Sequence, residues 1–191
     1  QAIEKIKHFV SRKAFNIDGF GKKIVENFYS NGWLKDPSDI FSLEKNYGSG
    51  SSVEIKNCEG WGAQSVSKLF TAINNCRTIS LSKFIYSLGI RYVGEQGSIL
   101  LAKYFISWEN FYSHVVEFGL ENFKEATDLS LIDGIGERTA LSLVDYFSSE
   151  QSVWVISKLL KEVQIEDYSV STSKYNQFLN RTIVFTGSLE K

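Results

Sequence analysis

One short string recurs four times along the chain, and this recurrence limits the possible fold more than any bulk property. It reads Ile17-Asp-Gly-Phe-Gly21, Cys58-Glu-Gly-Trp-Gly62, Ile90-Arg-Tyr-Val-Gly94 and Ile132-Asp-Gly-Ile-Gly136. The closing glycines lie 41, 32 and 42 residues apart, so the period is irregular while the unit is constant. The residues after each closing glycine are also in phase. Val25, Val66, Ser98 and Ala140 stand four residues on, and then come the pairs Phe28 and Tyr29, Leu69 and Phe70, Leu101 and Ala102, Leu143 and Val144. Apolar residues at i, i+3 and i+4 predict a helix with one buried face after every turn. Shorter apolar patterns precede the turns, at Ile6, Phe9 and Val10, at Val53, at Phe84, Ile85 and Leu88, and at Leu129 and Leu131. Each unit is therefore expected to be helix, tight turn, helix.

A chain of such units is expected to be all-α, and 43% hydrophobic residues over 191 positions supply enough apolar surface for a core. Asp36-Pro37 reads as a helix cap followed by proline at the first helical position. The Gly/Ser run 48–52 reads as a mobile surface connection. Further amphipathic helices are expected over 108–118, after Ser107, and over 152–163. Trp33, Trp108 and Trp154 are assigned to full or partial burial, with Trp61 the possible exception at a turn tip. Polar, Ser-rich sequence over 167–177 reads as a linker, and β-branched 182–186 as a strand. One strand cannot stand alone, so residues 178–191 are expected to open a second, truncated domain.

Glycine lets the backbone approach a neighbour closely, and each turn feeds a helix whose first amides lack internal partners. Bare amides at the positive end of a helix dipole suit an anion, with phosphate the natural guest. The candidate phosphate-binding residues are Gly19, Gly21, Lys22 and Lys23; Gly60, Gly62 and Gln64; Arg91 and Gly94; and Gly134, Gly136, Arg138 and Thr139. Ser65, Glu95 and Gln96 also fall just inside second helices. A single Gly-x-Gly is equally compatible with a plain joint between two helices; four copies in phase favour the anion reading. Tyr92 replaces the first glycine of the third copy, so that turn is expected to approach a phosphate less well. A Rossmann phosphate loop is excluded, because no strand precedes the glycines and the third glycine of its motif is absent or misplaced.

Charge is uneven. Residues 1–35 carry 7 basic and 3 acidic groups, whereas 109–167 carry 4 and 12, so only the first region invites an anion on charge grounds. His8 and His114 are isolated, and no metal-ligand or nucleophile motif is present. Asp18 and Asp133 are read as turn or helix caps, not bases. Cys58 and Cys76 are read as buried thiols, and no apolar run reaches a membrane span. With Gln first and no methionine, the chain is expected to be an internal piece of a longer polypeptide.

Taken in order, four strings carry a more specific resemblance: His8-Phe-Val-Ser-Arg-Lys-Ala-Phe-Asn-Ile-Asp-Gly-Phe-Gly21, Tyr86-Ser-Leu-Gly-Ile-Arg-Tyr-Val-Gly-Glu95, Ile132-Asp-Gly-Ile-Gly-Glu137 and Thr182-Ile-Val-Phe-Thr-Gly-Ser-Leu189. Over essentially its whole length the chain resembles the C-terminal half of bacterial NAD-dependent DNA ligases. The resemblance implies four tandem helix-hairpin-helix motifs over 1–166, a linker over 167–177 and the start of a BRCT domain over 178–191. It implies a parent that seals nicks in double-stranded DNA during replication and repair, using NAD, magnesium and zinc, in the cytoplasm. This part would grip nicked duplex DNA beside the parent's other domains, touch no membrane, and hold no cofactor or catalytic residue. The Lys-x-Asp-Gly adenylation string and the four zinc cysteines are absent. Tyr92 matches that family's third motif, which also lacks the first glycine; Cys58, Trp61 and the 48–52 loop depart from the usual second. The alternative is a helix-hairpin-helix scaffold of another DNA repair or junction-recognition protein. DNA glycosylases, which pair such a hairpin with a catalytic Asp, fit less well, because no matching constellation stands beyond the hairpins.

Overall fold

The computed structural model of the chain describes residues 2–118 and 129–169. The expected 182–186 strand, the 178–191 domain start and most of the linker lie outside the described residues. The chain runs through α1 (Ala2–Phe9), α2 (Lys22–Ser30), a 3-10 helix (Pro37–Ser42) and α3 (Leu43–Tyr47). After a 3-10 turn (Ile55–Asn57) come α4 (Ala63–Asn75), β1 (Thr78–Ser80), α5 (Leu81–Ser87) and α6 (Glu95–Phe105). Next are α7 (Trp108–Tyr112), a π-helical turn (Ser113–Phe118), α8 (Glu137–Ser148), α9 (Glu150–Leu159) and β2 (Gln164–Glu166).

The apolar stripes dictate the packing. Val25 and Phe28 of α2, Val66, Leu69, Phe70 and Ile73 of α4, Leu101, Ala102 and Phe105 of α6, and Ala140, Leu143 and Phe147 of α8 are buried. They join one continuous cluster running from Ile6 to Leu159. Aromatic contacts tie its parts together: Phe9 stacks on Phe15 at 4.2 Å, Phe84 meets Trp108 at 5.0 Å, and Phe111 meets Phe147 at 5.7 Å. The Asp36 cap forms as expected, its carboxylate accepting from the Ser38 amide at 2.9 Å while Asp39 accepts from the Asp36 amide at 3.1 Å. Ser107 caps α7 by accepting from the Asn110 amide at 3.1 Å.

Several expectations are corrected. The domain is mostly helical but not all-α: β1 and β2 pair in parallel, with Ile79 opposite Ile165. Three-residue strands are too short to show a period in sequence, and tertiary contacts hold these two together. Arg77 donates to the Phe41 carbonyl at 3.1 Å and to the Glu162 carboxylate at 2.7 Å, while its own carbonyl accepts from Gln164. No α-helix forms around Val53, which is 46% exposed; Ile55, in a 3-10 turn, takes the buried position instead. Of the apolar pair expected before the fourth turn, Leu129 is buried and Leu131 is 78% exposed. The helix expected over 108–118 breaks into α7 and a π-helical turn, and α9 spans Glu150–Leu159. Trp154 is 51% exposed, with the Lys158 ammonium 4.2 Å from its ring centre, not buried. Both cysteines are free and only half-buried.

Candidate nucleic-acid interface

The four strings fold into one backbone form. In each, the carbonyl of the first residue accepts from the amide of the fourth: Ile17 from Phe20 at 3.2 Å, Cys58 from Trp61 at 3.1 Å, Ile90 from Val93 at 3.1 Å and Ile132 from Ile135 at 2.9 Å. The third residue has positive φ, +73° at Gly19, +80° at Gly60, +62° at Tyr92 and +87° at Gly134. This is the pattern of a type II turn. The fourth residue plugs the turn into the core: Phe20, Val93 and Ile135 are buried, and Trp61 half-buried. The closing glycine is then extended, and the helix begins at the next residue in every case. The residue four beyond it donates to its carbonyl, Val25 at 3.1 Å, Val66 at 3.1 Å, Ser98 at 2.9 Å and Ala140 at 3.0 Å. These four complete the first helical turn facing inward, which explains why the sequence keeps them small or β-branched.

The closing glycines show what the turn leaves open. A Cβ placed on Gly21, Gly62, Gly94 or Gly136 would meet nothing within 4 Å, and their negative φ values suit any L-residue. Neither packing nor backbone angle inside the described chain requires glycine there. No side chain caps the helix at Gly21, Gly94 or Gly136. At the second turn the Gly62 amide donates to the Ser65 hydroxyl at 3.0 Å, so that mouth is partly filled.

The candidate residues fall around these mouths unequally. Lys22 and Lys23 open α2, both exposed and, among the described residues, without an ion pair. Gln64 and Arg138 take the second positions of α4 and α8 and are also exposed. The Arg91 guanidinium lies 5.0 Å from the ring centre of Tyr92, which is 54% exposed. Thr139 donates its hydroxyl to the Tyr92 carbonyl at 3.3 Å, linking the third and fourth turns. Glu95, first in α6, pairs with Lys13 at 2.7 Å and holds that ammonium above its ordinary pKa. Asp18 and Asp133 are exposed at the second position of their turns.

Contacts group the turns in pairs. Phe28, behind the first turn, lies 5.4 Å from Trp61 of the second; Leu100 of α6 would stand 2.6 Å from a Cβ on Gly134. Sequence reasoning missed the Thr139–Tyr92 and Lys13–Glu95 links. Both join residues far apart in the chain, and no local pattern announces them. The shared turn bond was legible in principle, because an apolar residue recurs at the first and fourth positions of every string.

A family model described as "Helix-hairpin-helix motif" matches residues 83–156, which contain the third and fourth turns. A DNA ligase of Bradyrhizobium diazoefficiens is 40% identical over 191 residues, all of this chain and 26% of the relative. A DNA ligase of Wolbachia pipientis is 42% identical over 190 residues, 99% of this chain and 27% of the relative. That of Hyphomonas neptunium is 41% identical over 194 residues, again all of this chain and 27% of the relative. The chain is homologous to the C-terminal part of DNA ligases. It spans about a quarter of the length of these relatives. Among the described residues, no helix is long and apolar enough to cross a membrane.

Proposed function

We propose that this chain is the duplex-gripping part of an NAD-dependent DNA ligase, holding nicked DNA without sequence preference through four helix-hairpin-helix turns. The observation that carries the reading is the set of four closing glycines, each bare on its outer side and each opening a helix of nine or more residues. A phosphate placed there accepts from helix N-terminal amides, and glycine removes the methyl group that would keep it away. Lys22 and Lys23 at the first turn and Arg138 at the fourth add cations; Gln64 adds a neutral donor at the second. Such contacts follow the sugar-phosphate backbone and carry no base information. A scaffold from another repair or junction-recognition protein is supported by the motif alone, whereas the ligase reading also draws on the whole-length relatives.

In the parent, nick sealing in replication and repair would use NAD, magnesium and zinc, in the cytoplasm and alongside the other domains. The residues of this chain do not fit those groups. It has no Lys-x-Asp-Gly string to take AMP from NAD. Its two thiols face separate backbone carbonyls, of Glu54 and Asn16, and the described residues hold no group of three His, Cys, Asp or Glu suited to a metal. This chain would bind and position the duplex, and the chemistry would occur elsewhere in the parent. The linker over 167–177 and the BRCT domain from 178 belong to the same proposal.

The test replaces Gly21 or Gly136 by Leu and measures affinity for a nicked duplex together with melting temperature. Binding is expected to weaken at least about 10-fold per site, with melting unchanged, because the new side chain fills space only a ligand would use. A lowered melting temperature with intact binding would make these plain structural joints.

A further inference from the structure

A cleft of about 390 Å³ lies between the loop leading to the first turn and the start of α6, lined by Arg12, Lys13, Ser82, Lys83, Tyr86 and Glu95. It lies outside the four turn mouths, yet Glu95 comes directly after Gly94, so it adjoins the third. Three cations from two separate parts of the chain converge there against one carboxylate. Arg12 and Lys83 are exposed and, among the described residues, have no ion pair; the Ser82 and Tyr86 hydroxyls have no hydrogen bond among them either. Lys13 spends its charge on Glu95 at 2.7 Å. Like charges gather at a solvated cleft against their mutual repulsion, an arrangement relieved by an anion.

We propose that this cleft is a fifth phosphate site for the duplex, reading a backbone phosphodiester next to the one held at the third turn, with Glu95 occupying the place of the anion until DNA arrives. The inference rests on the duplex-binding reading above. Lys83 and Arg12 meet the phosphate first, and the hydroxyls of Ser82 and Tyr86 supply neutral donors. Lys13 then exchanges the Glu95 carboxylate for a phosphate oxygen. Since Glu95 also sits in the first turn of α6, where a carboxylate suits the helix dipole, the free protein loses nothing by keeping the pair closed. The cleft thereby gives the third turn the cations that its own helix start lacks.

The experiment is fluorescence anisotropy of a labelled nicked duplex titrated with this 191-residue chain at two salt concentrations, using the wild type, Lys83→Ala and Glu95→Gln. Lys83→Ala should weaken binding about 3- to 10-fold and lower the salt slope by roughly one, the signature of one lost phosphate contact. Glu95→Gln should tighten binding by a similar factor. Melting curves check folding; both side chains are on the surface, so no shift is expected for Lys83→Ala and only a few degrees for Glu95→Gln, which gives up an exposed ion pair and a carboxylate at a helix start. Wild-type affinity and slope in Lys83→Ala would overturn the fifth site while leaving the turns intact. Failure of the wild type to bind duplex overturns both readings. Titration with inorganic phosphate alone separates the sources: a phosphate isotherm lost in Lys83→Ala, with DNA affinity unchanged, would make this a site for free phosphate and refute the proposal.

Discussion

At the first turn the residue with positive φ is Gly19 and the helix opens on two exposed lysines; at the third it is Tyr92 and the helix opens on Glu95 held by Lys13. Yet the turn bond is 3.2 Å in one and 3.1 Å in the other, and both close on an extended glycine that starts the helix. The backbone form therefore does not depend on glycine at the third position. It is set by the apolar residue plugged into the core and by the helix beyond it. Glycine at the closing position is different: all four copies have it at negative φ, where a Cβ would meet nothing, and although it suits the helix N-cap, Ser, Thr, Asn or Asp would cap as well or better. Of the two glycines in the motif, the one that bends the chain has a tyrosine in its place in the third copy, and the one beside the helix mouth is, on the proposed function, where a phosphate would approach.

The largest expected effect breaks the comparison from behind. Phe28 and Leu101 occupy the same place, seven residues after their closing glycines, and both are fully buried. Phe28 is surrounded by Phe20, Trp33 and Trp61 at 5.7, 5.0 and 5.4 Å, so truncation leaves a cavity walled by large rings that collapse poorly. Phe28→Ala should cost about 3–5 kcal/mol, as large buried aromatic truncations do. That corresponds to a fall in melting temperature of roughly 10 °C for a chain of this size. A loss of under about 1 kcal/mol would show that the plug and its backing do not set the first turn.

A smaller effect sharpens the contrast in charge. Lys22→Ala with Lys23→Ala removes two exposed cations from the first mouth, and Arg138→Ala removes one from the fourth. The fourth lies in the acidic 109–167 stretch of the sequence, so on segment charge the lysine pair should matter more, weakening duplex binding about 10-fold or more at low salt against about 3-fold for Arg138. Affinities measured beside melting curves decide it. Should Arg138→Ala alone weaken binding, charge summed by segment is the wrong guide, and local geometry at the fourth mouth governs.

The turns and the helices after them were legible because their signals are local: an apolar plug, a closing glycine and a stripe at 3.6-residue spacing all lie within about a dozen residues. The features beyond the reach of sequence reasoning depend on distant partners. The β1–β2 pair exists because Arg77 is anchored on Phe41 and Glu162. The position of Val53 was misread because a lone β-branched residue after a Gly/Ser loop looks like the edge of a helix. Ile55, two residues on, had an equal apolar claim, and only packing chose between them. Thr139 shows the same limit at the candidate site: its place in the helix was clear, but its hydroxyl is engaged by Tyr92 across 47 residues of sequence.

The smallest effect is a reciprocal exchange at the third position of the turn. Gly19→Tyr imposes on the first turn what the third already tolerates, a side chain at positive φ, and a Cβ there meets nothing within 4 Å. Left-handed backbone costs an L-residue roughly 1–2 kcal/mol, while removing a glycine from the unfolded chain returns about 0.4–1 kcal/mol. The net loss should be about 1 kcal/mol or less, a shift of roughly 2–4 °C in melting temperature. Tyr92→Gly runs the balance backwards and also gives up the Arg91 contact, an exposed cation–π pair of about 0.5–1 kcal/mol, so its stability should stay close to the wild type. Denaturant melts of both variants measure this. A loss above about 3 kcal/mol in Gly19→Tyr would mean that the first turn needs its glycine to bend. The two turns would then share a shape for different reasons, with the third held by its Thr139 tie and the first by its own residue.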